Sequence, residues 1–496
     1  MLFYMLSRHL PMLMYAKCWS RQRRKQRMAW CIKKTSMQQA LLDYYQSIIP
    51  DPVRFAEYAR QPLPATFWVN PLKATQSVFD AQDVTPLPWS INGYRYTGAD
   101  ALGKSWQYQL GLIQIQEEVS MLPVMLLDPK PHETILDLCA APGNKTAEIA
   151  VAMKNTGTVI ANDRNYQRMK ALGQTMRRLG LINITVTVQD ALNYQSFPNY
   201  FDKILVDAPC SCEGTFRKRI QKPITPNPRQ HRHLASQQIA MLKKAIALCK
   251  PGGRIVYSTC TFAPEENEGV VSAILAKYSD EVRLLPIELP NFKWCEGVQQ
   301  WQDVQYHPDV VHTMRVWPHL NDTGGFYVAV FEKTKRAVSA SVATVTPQAN
   351  NHDIVDGLWD QFDFPAALKE HYIFDQASRR GIYMLNKDHC IPEGLSYDVS
   401  GLLCVKTKTN FPKLSTGAVG VLGQKASKNT VTLNEQQFAA YLRREETILL
   451  PSQIEQVTAT GFVIVCYQEF IAGTGLFLSQ TPDQPPRLRS LFPSTI

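Results

Sequence analysis

The sequence predicts an α/β fold of the Rossmann-like kind: a mostly parallel seven-stranded sheet covered by helices, with a smaller region on either side. Three observations predict it. Strand-like and helix-like segments alternate between about residues 111 and 333, the pattern of parallel strands joined by helical crossovers. The stretch TILDLCAAPGNKT, Thr134 to Thr146, runs from four strand-like residues into a tight turn of small residues around Gly143, then into a helix over 145–153. The next strand, Thr158 to Asp163, ends on a carboxylate 20 positions after Gly143, the spacing at which an acid can take both hydroxyls of a ribose.

Composition sets the bounds. A chain of 496 residues, 45% hydrophobic and 19% charged, has room for about three globular domains. The net charge of +10 is unevenly placed. Nine Lys or Arg and no acid fall in residues 1–42, leaving 44 bases against 43 acids elsewhere. Residues 1–36 read as a basic extension suited to RNA binding or targeting, or as sequence ahead of a true start at Met28 or Met37; the last reading is preferred. Eleven cysteines without a CxxC pair suggest reduced thiols in a cytoplasmic protein. No apolar run reaches membrane-spanning length, so no membrane partner is expected.

Taken in order, Leu41, Leu42, Tyr45, Ile48 and Ile49 have helical spacing, stopped by Pro50 and Pro52. Strands are predicted at 66–70 and 93–96 with a helix at 78–84, giving a small N-terminal α+β domain over 37–110. A helix over 116–127 leads into the catalytic domain, 111–333. There the strands are 134–139, 158–163, 184–189, 201–207, 253–258, 283–288 and 325–332, and the main helices 165–179, 232–249 and 265–278. Pro251, Gly252 and Gly253 are read as the stop of the 232–249 helix. Residues 334–352 lose periodicity and read as a linker. Beyond them, 359–371 and 435–444 look helical, while 402–406, 418–422, 461–466 and 476–478 look like strands of a separate region, 353–496. No internal repeat is evident.

The turn itself narrows the ligand. Backbone amides and a helix N-terminus at the carboxyl end of a strand suit a polar or anionic group, and the acid of the next strand suits a nucleoside. With a single Gly and no GKS or GKT loop, the turn fits S-adenosylmethionine better than NAD or ATP. An ordinary strand-to-helix turn is the plainer alternative.

Two cysteines close strands of the same sheet. DKILVDAPC ends on Cys210, and GRIVYSTC ends on Cys260. A thiol at the ligand edge can act as a nucleophile where its thiolate is favoured. One chemistry needs two thiols and an acid together, the methylation of carbon 5 of a pyrimidine. That carbon is too weakly nucleophilic to take a sulfonium methyl unaided. A thiolate added at carbon 6 makes the ring an enamine, and an acid at nitrogen 3 stabilises the developing charge. Loss of the carbon 5 proton then expels the first thiol, and a second can assist release.

DLCAAPGNKT, DAPCSCEGTFRK and YSTCTFAPEENE, with Arg315-Val-Trp-Pro-His319 and Gly324-Gly-Phe326, resemble the motifs of the RNA 5-methylcytosine methyltransferase family over about residues 60–333. The resemblance implies that Cys260 is the nucleophile, Cys210 aids release, Asp207 contacts the cytosine, and Lys145 belongs to the same catalytic set. It also implies that Cys139, Ala140, Ala141, Pro142, Gly143, Asn144, Lys145, Asp163, Asp190 and Asp207 line the cofactor, with Asp163 on ribose and Asp190 near adenine. Two positions depart from the family: Trp68 stands where an Arg is usual before Val69-Asn70, and Val119-Ser120 replaces a usual Ser pair. The C-terminal third is similar to the bacterial 16S ribosomal RNA branch, which carries a PUA-like RNA-binding module. The similar parts are Phe411-Pro-Lys-Leu, 435–444, and Val465 to Phe477 followed by Leu488 to Pro493.

Other residues have plainer readings. Arg217, Lys218, Arg219 and Lys222 follow Cys212 near the site and are candidate phosphate contacts, against the alternative of a solvated charge run. No metal is expected, because Cys210 and Cys212 lack a second Cys or His pair at zinc spacing. His231 and His233 read as caps or surface residues. Glu265, Glu266 and Glu268 suit the first turn of a helix, and Asn267 is a candidate contact to the loop bearing Cys260. The leading reading is an S-adenosylmethionine-dependent, monomeric methyltransferase of 16S ribosomal RNA or the small subunit. The alternatives are a tRNA methyltransferase and a non-catalytic RNA-binding assembly factor; retention of both thiols and Asp207 disfavours the last.

Overall fold

The computed structural model describes residues 39–75, 78–218, 225–334, 342–346, 353–378, 381–407 and 412–493. The expectations for residues 1–36, Arg219, Lys222 and Phe411 lie outside them, as does most of the 334–352 linker.

Five parallel strands form the centre of the main sheet, in the spatial order Cys249–Thr259, Phe201–Asp207, Thr134–Asp137, Thr158–Asn162, Ile184–Thr187. The chain starts in the middle, builds outward to one edge, then returns to build the other. The order therefore reverses between Thr134–Asp137 and Phe201–Asp207, where a crevice opens at the carboxyl ends. Thr134–Asp137 and Thr158–Asn162 are buried at every position, as strands covered on both faces must be.

The crossover helices explain themselves locally. Tyr166–Leu179 buries Met169, Leu172, Met176 and Leu179, starts on the Asn165 side chain and ends on Gly180 at φ 78. Pro228–Leu248 starts on Asn227, whose side chain accepts from the amides of Arg229 and Gln230.

The sheet is larger than expected. Phe326–Lys333 runs antiparallel beside Cys249–Thr259, and Val282–Leu284, Met314–Val316 and Cys295–Glu296 extend that side. At the other edge Val399–Ser400 pairs antiparallel with Ile184–Thr187. The seven strands predicted for this domain all have a counterpart within a ten-stranded sheet, but 283–288 is cut to Val282–Leu284, and it and Phe326–Lys333 run antiparallel, so only the centre is parallel.

Several expectations are corrected. Pro251, Gly252 and Gly253 do not cap the helix, which stops at Leu248; they lie inside Cys249–Thr259, where the pairing with Phe201–Asp207 shifts register. The backbones approach so closely that a Cβ on Gly253 would sit 2.6 Å from the Asp202 carbonyl oxygen. Residues 78–84 give a short 3₁₀ turn, Ala81–Asp83, then a strand, Val84–Pro86. Residues 418–422 belong to a helix, Thr416–Leu422, capped by Ser415, which buries Ala418, Val419 and Leu422. Pro365 divides the expected 359–371 helix into Asp353–Phe362 and Ala366–Lys369. The 116–127 helix is a 3₁₀ turn, Glu118–Ser120, followed by Leu122–Leu127.

The domain boundaries also move. The N-terminal sheet takes Ile113–Ile115 as its fourth strand, past the boundary at 110. Residues 39–59 pack instead on the catalytic core, with the Tyr45 and Phe55 rings 6.1 and 5.9 Å from Phe262. The C-terminal region holds a four-stranded and a five-stranded sheet and is not separate. It donates Val399–Ser400 to the main sheet, and its Phe438 meets Trp106 of the N-terminal region at 5.9 Å.

Candidate active site

The crevice at the strand reversal is built from three loops. The first is the turn from Cys139 to Lys145. Gly143 stands at φ 108, and a Cβ there would lie 2.6 Å from Leu172 Cδ1, so the position requires glycine on both grounds. Thr146 Oγ1 donates to Asp137 at 2.6 Å and fixes the start of the helix to the end of the strand. Burial pushes Asp137 up to about 7, against that hydrogen bond.

Asp163 reaches back to the same turn. One carboxylate oxygen accepts from the Asn165 amide at 2.8 Å, and the other from the Ala141 amide at 3.3 Å. Asn162 spans the neighbouring strand ends, donating to the carbonyls of Leu138 and Gln189. Asp190 follows at the end of the third parallel strand, exposed, with one oxygen on the Leu192 amide at 2.9 Å. Turn, Asp163 and Asp190 thus lie along one edge of the sheet.

The second and third loops bring Asp207, Cys210 and Cys260 together. Asp207 accepts from Lys145 Nζ at 2.8 Å through one oxygen and from Ser258 Oγ at 2.7 Å through the other. Burial lowers the Lys145 affinity for protons, but Asp207 outweighs it, so the ammonium is held above its ordinary value. Cys210 and Cys260 are 3.4 Å apart, sulfur to sulfur. The hydrogen bond from Cys210 draws the Cys260 thiol down, whereas the Cys212 hydrogen bond, burial and Asp207 push it up, and the upward set wins. Cys210 is raised well above the thiol range by its hydrogen bonds to Cys212 and Cys260, and by burial. Both thiols are therefore held in their protonated form at rest.

Backbone contacts lock these loops in register. The Gly214 amide donates to the Cys260 carbonyl at 2.9 Å, and the Gly325 amide donates to the Gly214 carbonyl at 3.0 Å. A Cβ on Gly214 would meet the Gly325 oxygen at 2.2 Å, and one on Gly325 would meet Phe262 Cε1 at 2.1 Å. Asn267 holds the Cys260 loop from beneath, donating to the Thr261 carbonyl at 3.1 Å and accepting from Thr259 Oγ1 at 2.6 Å.

Some residues have other places than expected. Arg217 is no phosphate contact: its guanidinium is wholly buried, 2.7 Å from Asp322 and bonded to the carbonyls of Gln61, Pro62 and Thr323. Lys218 is half-exposed and pairs with Glu117 at 3.0 Å. His231 is fully buried, with Nε2 2.8 Å from Glu213, whose other oxygen accepts from Tyr45 and Thr261 at 2.6 and 3.1 Å. Glu266 and Glu268 are likewise buried. Glu266 accepts from the Ser211 amide and from Gln238, and Glu268 pairs with Arg315 at 2.6 Å. The helix begins only at Glu268, so the first-turn reading holds for Glu268 but not for Glu265 and Glu266, and Glu266 braces the thiol loop through Ser211. The glycines of CEGTF and GGF are the sequence signal for the close backbone approach of Gly214 and Gly325.

A doubly wound sheet with a nucleoside-binding edge beside a thiol pair defines a Rossmann-like methyltransferase domain. S-adenosylmethionine is compatible with this lining: two carboxylates, Asp163 and Asp190, stand at consecutive strand ends, and the Gly143 turn lies beside Lys145. The family description "16S rRNA methyltransferase RsmB/F" matches residues 124–332. The chain is 37% identical over 296 residues to the tRNA (cytosine(49)-C(5))-methyltransferase of Pyrococcus abyssi, covering 58% of this chain and 94% of the relative. It is 32% identical over 324 residues to ribosomal RNA small subunit methyltransferase F of Psychromonas ingrahamii, covering 62% of this chain and 65% of that one. A solved structure of a methyltransferase homologue from Pyrococcus horikoshii aligns at TM-score 0.51 and 30% identity, over 60% of this chain and 99% of that one. The chain belongs to the RNA cytosine-C5 methyltransferase family, whose methyl donor is S-adenosylmethionine. It spans less than half the length of the eukaryotic relatives it matches. No helix among the described residues is long and apolar enough to cross a membrane.

Proposed function

We propose that this chain methylates carbon 5 of a cytosine in 16S ribosomal RNA, as free RNA or within the small subunit, through a covalent cysteine–cytosine adduct. The observation that carries the reading is the pair Cys210 and Cys260, 3.4 Å apart at the ends of adjacent parallel strands, with Asp207 and Lys145 at the same edge. S-adenosylmethionine supplies an electrophilic methyl group when bound. Cys260 adds to carbon 6 of the target base as its thiol proton passes, by way of the Asp207 carboxyl that Lys145 and Ser258 orient, to nitrogen 3. Once carbon 5 is alkylated and its proton lost to solvent, carbon 6 releases Cys260, which takes back the nitrogen 3 proton, with Cys210 assisting. Asp163 holds the ribose and Asp190 the adenine of the donor. The C-terminal region acts as a PUA-like module that contacts RNA, and Lys218 exchanges Glu117 for a phosphate when RNA binds.

The substrate is the finer half of the reading. It rests on the bacterial small-subunit relatives and on the C-terminal region. A tRNA substrate is the second reading, favoured by the Pyrococcus abyssi relative. The test is transfer of a labelled methyl group to 16S RNA, small subunits and tRNA. Wild type should label 16S RNA or the subunit, Cys260→Ala should label nothing, and Cys210→Ala should accumulate a denaturant-resistant protein–RNA adduct. Labelling of tRNA alone would replace the substrate, and activity in Cys260→Ala would overturn the nucleophile.

A further inference from the structure

Three thiols, not two, meet at the crevice. The sulfurs of Cys210, Cys212 and Cys260 all lie within 4.8 Å of one another, with Cys210 3.4 Å from Cys260 and 3.9 Å from Cys212. The proposed chemistry uses Cys260 and Cys210 and has no task for Cys212. Yet Cys212 stands at φ 59, ψ 27, a left-handed conformation that costs a side chain energy and costs glycine none. All three cysteines are partly exposed as residues.

We propose that Cys210, Cys212 and Cys260 form a three-thiolate site for a soft divalent cation such as zinc, and that filling it excludes methyl transfer by occupying both reacting thiols. Metal–sulfur bonds of about 2.3 Å in a tetrahedral arrangement set sulfurs about 3.8 Å apart. The separations of 3.4 and 3.9 Å straddle that value. Binding exchanges three S–H protons for one dication, leaving the centre with one net negative charge. Lys145, whose ammonium interacts with Cys260, is the neighbouring positive charge, and the fourth coordination position is left to water. The sequence concealed the site because Cys260 lies 48 residues beyond Cys212 and joins it only through the parallel pairing of two strands. Metal binding stands on the cluster alone, whereas the inhibition rests on the proposed function.

The test uses the full chain and cobalt(II) as a coloured stand-in for zinc. Wild type should bind one equivalent, with thiolate-to-cobalt charge-transfer absorption in the near ultraviolet that zinc abolishes. Cys212→Ser and Cys212→Gly should each weaken binding by more than about a hundredfold, beyond what loss of an outer-shell partner does. Cys466→Ser, in the C-terminal sheet, should not. Absence of the band in wild type, or binding by Cys212→Gly as tight as wild type, would overturn the site. For inhibition, the ratio of methyl-transfer rates without and with zinc should be about 100 in wild type at about a hundred times its Kd, and about two or less in Cys212→Gly. Equal ratios would overturn the inhibition. If no variant transfers methyl groups, the proposed function fails while the cobalt band still decides the site.

Discussion

Lys145 Nζ and Asp207 Oδ2 are 2.8 Å apart, which ties the first turn of the cofactor helix to the strand that leads to Cys210. The ammonium is held above its ordinary value by Asp207 despite its burial, so it stays charged throughout the working pH range. It is thus a fixed positive charge beside the carboxylate proposed to meet the base. Lys145→Met should lower the single-turnover methyl-transfer rate by about 10²–10³-fold, the usual cost of one preorganised electrostatic contact. The far-ultraviolet dichroism should not change. A variant with the wild-type rate would reduce the pair to a structural tie.

Arg315 and Glu268 form a buried two-pronged ion pair, and a further guanidinium N–H donates to the Phe262 carbonyl, two residues after Cys260. Removing one member strands a buried charge. Arg315→Met should therefore cost about 3–5 kcal/mol of unfolding free energy in urea. The double variant Arg315→Met/Glu268→Leu should lose less than the single one, since no uncompensated charge remains. Equal losses would mean that packing, not charge, sets the cost.

Gly143 is the hinge of the cofactor turn. Its φ of 108, and the 2.6 Å at which a Cβ there would meet Leu172, make Gly143→Ala strained in two ways. The cost should be about 1–3 kcal/mol. Movement of the turn should weaken S-adenosylmethionine binding, measured by calorimetry, about tenfold or more. The companion Leu172→Ala change removes only the Cδ1 contact; the Leu172 Cβ and Cα at 2.7 and 3.1 Å stay, as does the dihedral, so recovery should be slight.

The sequence marked most strongly what depends on local chemistry. The strand–turn–helix at Gly143, the seven strands and the two strand-terminal cysteines were all legible, because each is a short pattern with its own punctuation. What failed depended on tertiary context. Val419 and Val421 look like alternation, but the Ser415 cap and the burial of Ala418, Val419 and Leu422 make a helix there. Arg217 reads as a surface cation in a basic run, yet three backbone carbonyls and Asp322 enclose it. The Glu213–His231–Tyr45 network joins residues separated by up to 186 positions, a relation no local pattern carries. Val399–Ser400 joins the main sheet as a two-residue strand, too short for any periodicity to mark.

That last strand is held by a buried histidine, which makes its docking sensitive to acid. His389 is fully buried, with Nε2 2.8 Å from Thr185 Oγ1 on the third parallel strand and 3.2 Å from Ser400 Oγ. Burial lowers it from 6.5 to about 4, against the pull of neighbouring Asp388. Between those values the unfolded chain binds a proton that the folded chain does not. The stabilising contribution of neutral His389 is thus complete above about pH 6.5 and is lost as pH falls toward 4, by about 3 kcal/mol in all at about 1.4 kcal/mol per unit. His231, raised by Glu213 against burial, acts with the opposite sign, so the wild-type curve alone does not isolate His389. The difference between wild type and His389→Asn does. Between pH 7 and pH 5 in urea, wild type should lose about 2 kcal/mol more than the variant; parallel losses would show that His389 takes up its proton without leaving the fold.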